Sequence, residues 1–469
     1  MSIVQENFVC AIEANASRFG DKPALLWEDG TLTWSELDRL ASGFSRHLLA
    51  QGVRAGDRVA IVLTNNADFV IAFLAILKIG AAAAPLNPLV TREEMAAFTE
   101  DLQPKLIVDH VEKTYGPAYA GKDAGAPSLI LYTSGSTGRP KGAVFSHNAL
   151  SFANHSWAEP VMGLTPDDTV LATVPLAHSL GLNGALLAPL LTGATVVLLE
   201  RFIPEKVFAA IRRHHVTVFP AVATIFRRLL NSPAFDDADF SSLRVAVAGA
   251  APCPWELAME WREKAATRIV RGYGMTELFR PVSYRAADPT DVPEAVGKPV
   301  PGVEIRAALE NENSVDGVGE LWIKSPAMME CYLDAPDDTS EVIADGWFKT
   351  GDLVTLSPEG FVQIVGRKRE RILRGGYSVF PQEVEAALLS HPSVAEAAVV
   401  GVSDSDLGEE VAAFVSLKPM ARITCEDLLA YCKEHLARYK YPRQVTILPE
   451  LPKGPTGKIL KSHLAKRTA

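Results

Sequence analysis

Apolar and polar positions alternate in two ways along this chain. Over the first 127 residues, apolar runs the length of a strand are separated by stretches with helical spacing. Leu32-Thr33-Trp34-Ser35-Glu36-Leu37 predicts a strand end running into a helix capped near Thr33 or Ser35, where a hydroxyl accepts from free backbone N–H groups. Asp57–Leu63 predicts a short strand, Ala67–Ile79 a helix, and the apolar run from Ala81 a further strand. The same alternation returns at Thr195–Leu199, Val216–Phe219 and Arg244–Ala248. It favours parallel sheets covered by helices, an α/β fold. After about residue 295 glycine and proline become frequent, and short strands such as Gly319–Lys324 and Phe361–Val365 alternate with turns, which reads as an antiparallel, barrel-like piece. From Phe380 a small α+β unit is expected, with a helix at Pro381–Ser390, a strand at Ala395–Val402 and a helix near Glu426–Leu436.

The most apolar segment, Phe69–Leu86, is interrupted by Lys78 and Gly80 and broken by Pro85. A spanning helix needs about 20 apolar residues, so a buried helix followed by a strand is expected and no transmembrane segment. A length of 469 residues allows more than one core. A net charge of -10 argues against nucleic acid as a partner. The five cysteines form no metal-spaced cluster, which fits a reducing, cytoplasmic compartment. No basic region followed by an apolar stretch opens the chain, so no signal peptide is expected.

The apolar run Leu129-Ile130-Leu131 reads as a buried strand that ends in Tyr132-Thr133-Ser134-Gly135-Ser136-Thr137-Gly138-Arg139-Pro140-Lys141-Gly142. Glycines let backbone N–H groups approach an anion closely, hydroxyls add donors, and Lys141 adds a charge. Such a loop suits a polyphosphate. It is not a Walker A loop, because Pro140 precedes Lys141 and Gly142 follows it.

Three further segments carry candidate chemistry. Gly272-Tyr273-Gly274-Met275-Thr276-Glu277 offers an aromatic face for a base and a carboxylate for Mg2+, or else is a plain turn from strand to helix. Trp347-Phe348-Lys349-Thr350-Gly351-Asp352 places an acid that would accept from ribose hydroxyls, or would cap a helix. Pro452-Lys453-Gly454-Pro455-Thr456-Gly457-Lys458 holds two lysines on a shaped loop. The charged stretch Gly366-Arg367-Lys368-Arg369-Glu370-Arg371 lies at the start of the last region.

In their order along the chain, and over nearly its whole length, these five segments resemble the adenylate-forming superfamily: acyl- and aryl-CoA ligases, adenylation domains of peptide synthetases, and beetle luciferase. The resemblance implies a large N-terminal αβ-layered domain with a distorted β-barrel subdomain, residues 1–368, and a small mobile α+β domain, residues 369–469. It implies that Thr133, Ser134, Gly135, Ser136, Thr137, Gly138 and Lys141 wrap the phosphates of ATP. Gly249, Ala250, Ala251, Gly272 and Tyr273 would line adenine. Thr276 would contact phosphate, with Mg2+ at Glu277 and Thr137. Asp352 and Arg367 would bind ribose, and Lys458 would bridge the substrate carboxylate and the α-phosphate. Gly375 and Gly376 would serve coenzyme A, and Arg369 would be the pivot of the small domain. The implied reaction is formation of an acyl-adenylate and then a thioester from a small-molecule carboxylic acid, ATP and coenzyme A. A ligase that loads a carrier protein is the alternative, and a homodimer is left open.

Pro175-Leu176-Ala177-His178-Ser179-Leu180-Gly181 resembles the family's border of the carboxylate pocket, with His178 as gate or orienting group. The other walls would come from Phe219–Thr224, Ala248–Ala251 and Leu278–Ser283, mostly apolar segments that favour a fatty or aryl acid. Arg280 is the exception. It either pairs with a second carboxylate on the substrate or is bonded within the protein.

Overall fold

The computed structural model describes residues 7–117, 127–133, 140–289, 291–309, 317–375, 377–453 and 459–465. The chain forms two compact units. The first holds Met1–Ile305, Ile323–Phe348 and Glu359–Phe361, and the second Arg306–Trp322, Lys349–Pro358 and Val362–Ala469.

In the first unit, one sheet runs in the order Ile269–Val270, Val245–Ala248, Val218–Ala221, Thr169–Ala172, Thr195–Leu198, Pro23–Trp27, Gly30–Thr33. All of its pairs are parallel except the terminal hairpin. A second sheet orders Cys331–Tyr332, Lys141–Ser146, Pro127–Thr133, Ala82–Pro85, Arg58–Ile61 and Leu106–Val108. Its last four strands are parallel. Strands buried on both faces read as near-continuous apolar runs, and Thr195–Leu198, Val218–Ala221 and Val245–Ala248 are buried at every position.

The helix Trp34–Ala50 starts where its sequence signals it should. Thr33 and Glu36 form a capping box that satisfies two backbone donors. The apolar segment from Phe69 lies in the helix Ala67–Lys78, buried at every residue but Asp68 and followed by the strand Ala82–Pro85. Lys78 ends this helix fully enclosed, paired with Glu13 at 2.6 Å and Asp38 at 2.8 Å. Among the described residues no helix is long and apolar enough to cross a membrane.

The strand Trp347–Leu356, which enters the second unit at Lys349, pairs antiparallel with Val362–Arg367. A sheet of Tyr377–Val379, Ile372–Arg374, Gly408–Leu417 and Val394–Asp404 follows, with Gln444–Ile447 beside Gly408–Leu417. The helices Pro381–Leu389 and Cys425–His435 cover one face. Val384, Leu388, Leu428 and Cys432 meet Val399, Val411, Ala413 and Val415 there. The opposite face packs Phe414 and Val400 against Leu451 and Leu464.

Candidate active site

The glycine- and hydroxyl-rich loop connects two antiparallel strands, Pro127–Thr133 and Lys141–Ser146. Thr133 and Lys141 are the last register pair, so they face each other across its mouth. The sequence pattern identified only the first strand. The second is as apolar as a helix start, and periodicity over so short a run does not separate the two. Ser134, Gly135, Ser136, Thr137 and Gly138 lie outside the described residues, as do Gly376 and Lys458.

Lys141 reaches Asp338 at 2.5 Å and lies 5.3 Å from the centre of the Tyr332 ring. The Tyr332 hydroxyl donates to Glu277 at 2.8 Å. Burial, and then the Glu277 carboxylate, push the Tyr332 hydroxyl far above the usual phenol range. The lysine expected at phosphate and the carboxylate expected at Mg2+ are thus linked through a tyrosine that the motifs did not single out. Tyr332 pairs with Ala143 on the edge of the loop's own sheet, a neighbour distant in sequence.

Thr276 and Glu277 sit in a short 3-10 turn after the strand Gly272–Met275. Glu277 is buried, and its carbonyl accepts from the Met329 N–H. Tyr273 is half-buried on that strand. Gly249 follows the strand Val245–Ala248 and is buried, whereas Ala250 and Ala251 are exposed. Ala250 has φ +62°, a left-handed backbone that costs an alanine about 1–2 kcal/mol.

His178 is half-buried in the turn before the helical segment Leu180–Leu187. Its N–H donates to the Pro175 carbonyl at 3.1 Å. Burial lowers its pKa, so the imidazole is neutral at pH 7. Asn65 holds this segment, donating to Val174 O at 2.8 Å and accepting from Leu176 N at 2.9 Å. No motif pointed to Asn65.

Arg280 is enclosed. Its guanidinium donates to Ala248 O at 2.7 Å, Val270 O at 3.2 Å and Ser283 Oγ at 2.9 Å, and lies 4.9 Å from the Trp157 ring centre. Ala248 and Val270 end two neighbouring parallel strands, the edge where α/β sheets commonly hold ligands. A Cβ at Gly272 would collide with this guanidinium, which explains the glycine there.

In the second unit, Asp352 lies within a strand and faces Arg367, the two pairing at 3.2 Å. It does not cap a helix. Gly351 has φ +70° and donates its N–H to Glu320 at 3.1 Å. Arg369 is exposed, and the next residue, Glu370, pairs with Lys461 at 3.0 Å. Lys461 also meets Glu385 at 2.8 Å. Gly375 has φ +54°. A bridge between Lys453 and Ile459 closes the base of the loop that contains Lys458.

A hairpin whose mouth carries Lys141, with Tyr332 and the buried Glu277 beside it, suits an anionic ligand such as a polyphosphate. The AMP-binding enzyme family matches residues 12–123 and 113–333, and the AMP-binding enzyme C-terminal domain matches residues 383–458. A 7a-methyl-1,5-dioxo-octahydroindenyl-propanoyl:CoA ligase of Rhodococcus jostii (strain RHA1) is 33% identical, with 97% of each chain covered. ATP-bound MatB from Rhodopseudomonas palustris superposes with a TM-score of 0.91 at 28% identity, covering 98% of both chains. The o-succinylbenzoate CoA synthetase of Bacillus subtilis, in complex with its acyl-adenylate intermediate, gives 0.87 at 32% identity and the same coverage. This chain belongs to the AMP-binding enzyme family. It is an AMP-forming acid–CoA ligase.

Proposed function

We propose that this ligase activates an apolar-bodied carboxylic acid, fatty or aryl, and that its two half-reactions use the residues expected from the motifs. The grouping of Lys141, Tyr332 and Glu277 at the mouth of the phosphate loop carries this reading. Thr133 to Lys141 bind the phosphates, and Thr276 contacts them. A substrate carboxylate oxygen attacks the α-phosphorus, and pyrophosphate leaves. Lys458 neutralises the charge that develops on the phosphoryl and carboxyl oxygens. Neutral His178 orients the acid. Gly249, Ala250, Ala251, Gly272 and Tyr273 hold adenine, and Asp352 and Arg367 hold ribose. Rotation at Arg369, the start of residues 369–469, then serves the second half-reaction. There the coenzyme A thiol, passing Gly375 and Gly376, attacks the acyl carbon and AMP leaves. The named relatives are CoA ligases, which disfavours a carrier protein as acceptor.

Among the described residues no cluster of His, Cys, Asp or Glu could by itself hold a metal ion. The single buried carboxylate Glu277 fits Mg2+, which takes most of its ligands from phosphate and water, and Thr137 would be the second protein ligand expected from the motifs. When bound, the ion supplies charge neutralisation at the phosphates. The cysteines are unpaired, in keeping with a cytoplasmic setting. The test is acid-dependent pyrophosphate release over fatty and aryl acids, with product mass after adding coenzyme A. Lys458→Ala is expected to lower pyrophosphate release about 100-fold or more. Undiminished release from that variant would remove Lys458 from the first half-reaction.

A further inference from the structure

Lys141 stands at the mouth of the phosphate loop, and its charge is already engaged. The ammonium pairs with Asp338 at 2.5 Å, and the lysine side chain is only 20% exposed. Asp338 lies in the helix Pro336–Val342, which carries none of the sequence motifs. The pair is nevertheless built into the sheet. Cys331 and Tyr332 pair with Val144 and Ala143, on the strand that Lys141 begins. Thr339 ties the helix to that edge. Its hydroxyl accepts from the Tyr332 N–H at 2.9 Å and donates to the Ala335 carbonyl at 2.8 Å. An ion pair on a free surface loses much of its energy to ordering two long side chains. Here one partner is a short aspartate on a pinned turn, and the other lies along the Tyr332 ring.

Helix stability alone does not call for Asp338, because Asp337 already places an acid in the same first turn. The consequence falls on the loop. An ammonium held against a carboxylate has its charge answered, so an arriving anion gains less from it and is repelled by the carboxylate. When a binding group is free for only part of the time, apparent affinity falls by that fraction. A polyphosphate carries several negative charges against one on Asp338, so it can win the lysine.

We infer that Asp338 is a positioning residue of the phosphate loop, acting through Lys141. It holds the lysine at the mouth when no polyphosphate is bound and yields it to ATP. By reclaiming the lysine it weakens the hold on pyrophosphate, the product that has to leave. This rests on the reading of residues 133–141 as the phosphate site and adds a competing anion to it. Lys458 is expected at the α-phosphate, which leaves Lys141 for the two phosphates that depart. AMP, which lacks them, should be indifferent to Asp338.

The test is calorimetric titration of the full-length enzyme, in the presence of Mg2+, with ATP, pyrophosphate or AMP. None of these titrations requires the acid. Asp338→Asn is expected to tighten ATP and pyrophosphate about fivefold, the factor a partly exposed pair supplies, and to leave AMP unchanged. Asp338→Glu keeps the charge and should bind all three as the wild type does. In a Lys141→Met background the gain from Asp338→Asn should vanish. Unchanged or weaker pyrophosphate binding in Asp338→Asn, an equal gain for AMP, or the same gain without Lys141 would each overturn the assignment. If Asp338→Asn does not fold, Asp338→Ser takes its place, and if Lys141→Met binds too weakly to titrate, the AMP comparison decides. Failure of the wild-type enzyme to bind ATP or pyrophosphate would instead overturn the phosphate-site reading, and this inference with it.

Discussion

Arg280 in the first unit and Arg374 in the second are both buried guanidiniums, and their surroundings differ in kind. Arg374 pairs with Glu410 and donates to the Tyr439 carbonyl, so its charge is balanced inside the fold. Arg280 is held by two carbonyls, a hydroxyl and the Trp157 ring, with no carboxylate among the described residues. The same contrast separates His178 from Lys461. Burial lowers the pKa of His178 with no acid to offset it, whereas Glu385 and Glu370 raise that of Lys461 despite its burial. The second unit neutralises its buried bases itself. The first pairs Lys78, Arg271 and Lys141 with acids but leaves Arg280 and His178 without one among the described residues.

The largest test of this contrast is a pair of variants. Glu410→Ala strands Arg374 as an unpaired buried charge, and a loss of roughly 3–5 kcal/mol in unfolding free energy is expected. Arg280→Met removes a charge that has no partner, and a loss of about 1–2 kcal/mol is expected, from carbonyls left unbonded. Denaturant melts that rank the two the other way would break the comparison.

A smaller effect follows from pH. The folded pKa of His178 lies below its ordinary 6.5. Its contribution is therefore present above about pH 6.5 and lost as pH falls towards the folded value. Stability should decline less steeply from pH 7 to 5 in His178→Gln than in the wild type. Lys461 has the opposite sign. Its folded pKa exceeds the ordinary 10.5, so its contribution is present below that value and lost as pH rises through the folded one. Lys461→Met should flatten the alkaline limb, which His178→Gln leaves unchanged, and it also removes the cation that holds the Glu370 carboxyl below its ordinary value. Parallel shifts in both variants would show that the two units do not differ in this respect. The smallest effect concerns Ala250, whose left-handed backbone favours glycine. Ala250→Gly is expected to stabilise by about 1 kcal/mol, measured by thermal melting.

Much of the fold was legible in the chain. The strand-to-helix junction at Thr33, the buried helix from Ala67, the strands near Val218 and Val245, and the two helices and the strand expected after Phe380 all appear where hydrophobic spacing placed them. Local signals sufficed because caps and apolar periodicity act within one or two turns. Asp352 shows their limit. An acid after a glycine fits a cap and a strand equally well, and only pairing with Arg367 across the hairpin decides between them. The candidate site was less legible. Tyr332 and Asn65 lie far in sequence from the groups they hold, and nothing in their own segments marks them.

By itself the sequence determined the class of chemistry. An ordered set of glycine, hydroxyl, acid and lysine motifs is local, and each motif keeps its meaning before the chain folds. Only the tertiary structure decided how those groups are electrically balanced. Whether Arg280 meets a carboxylate depends on which distant strand ends and rings surround it, because burial and pairing are properties of neighbours rather than of the residue. From sequence the arginine had two readings. In the folded chain it is enclosed, bonded to Ala248 and Val270, and without an acid among the described residues.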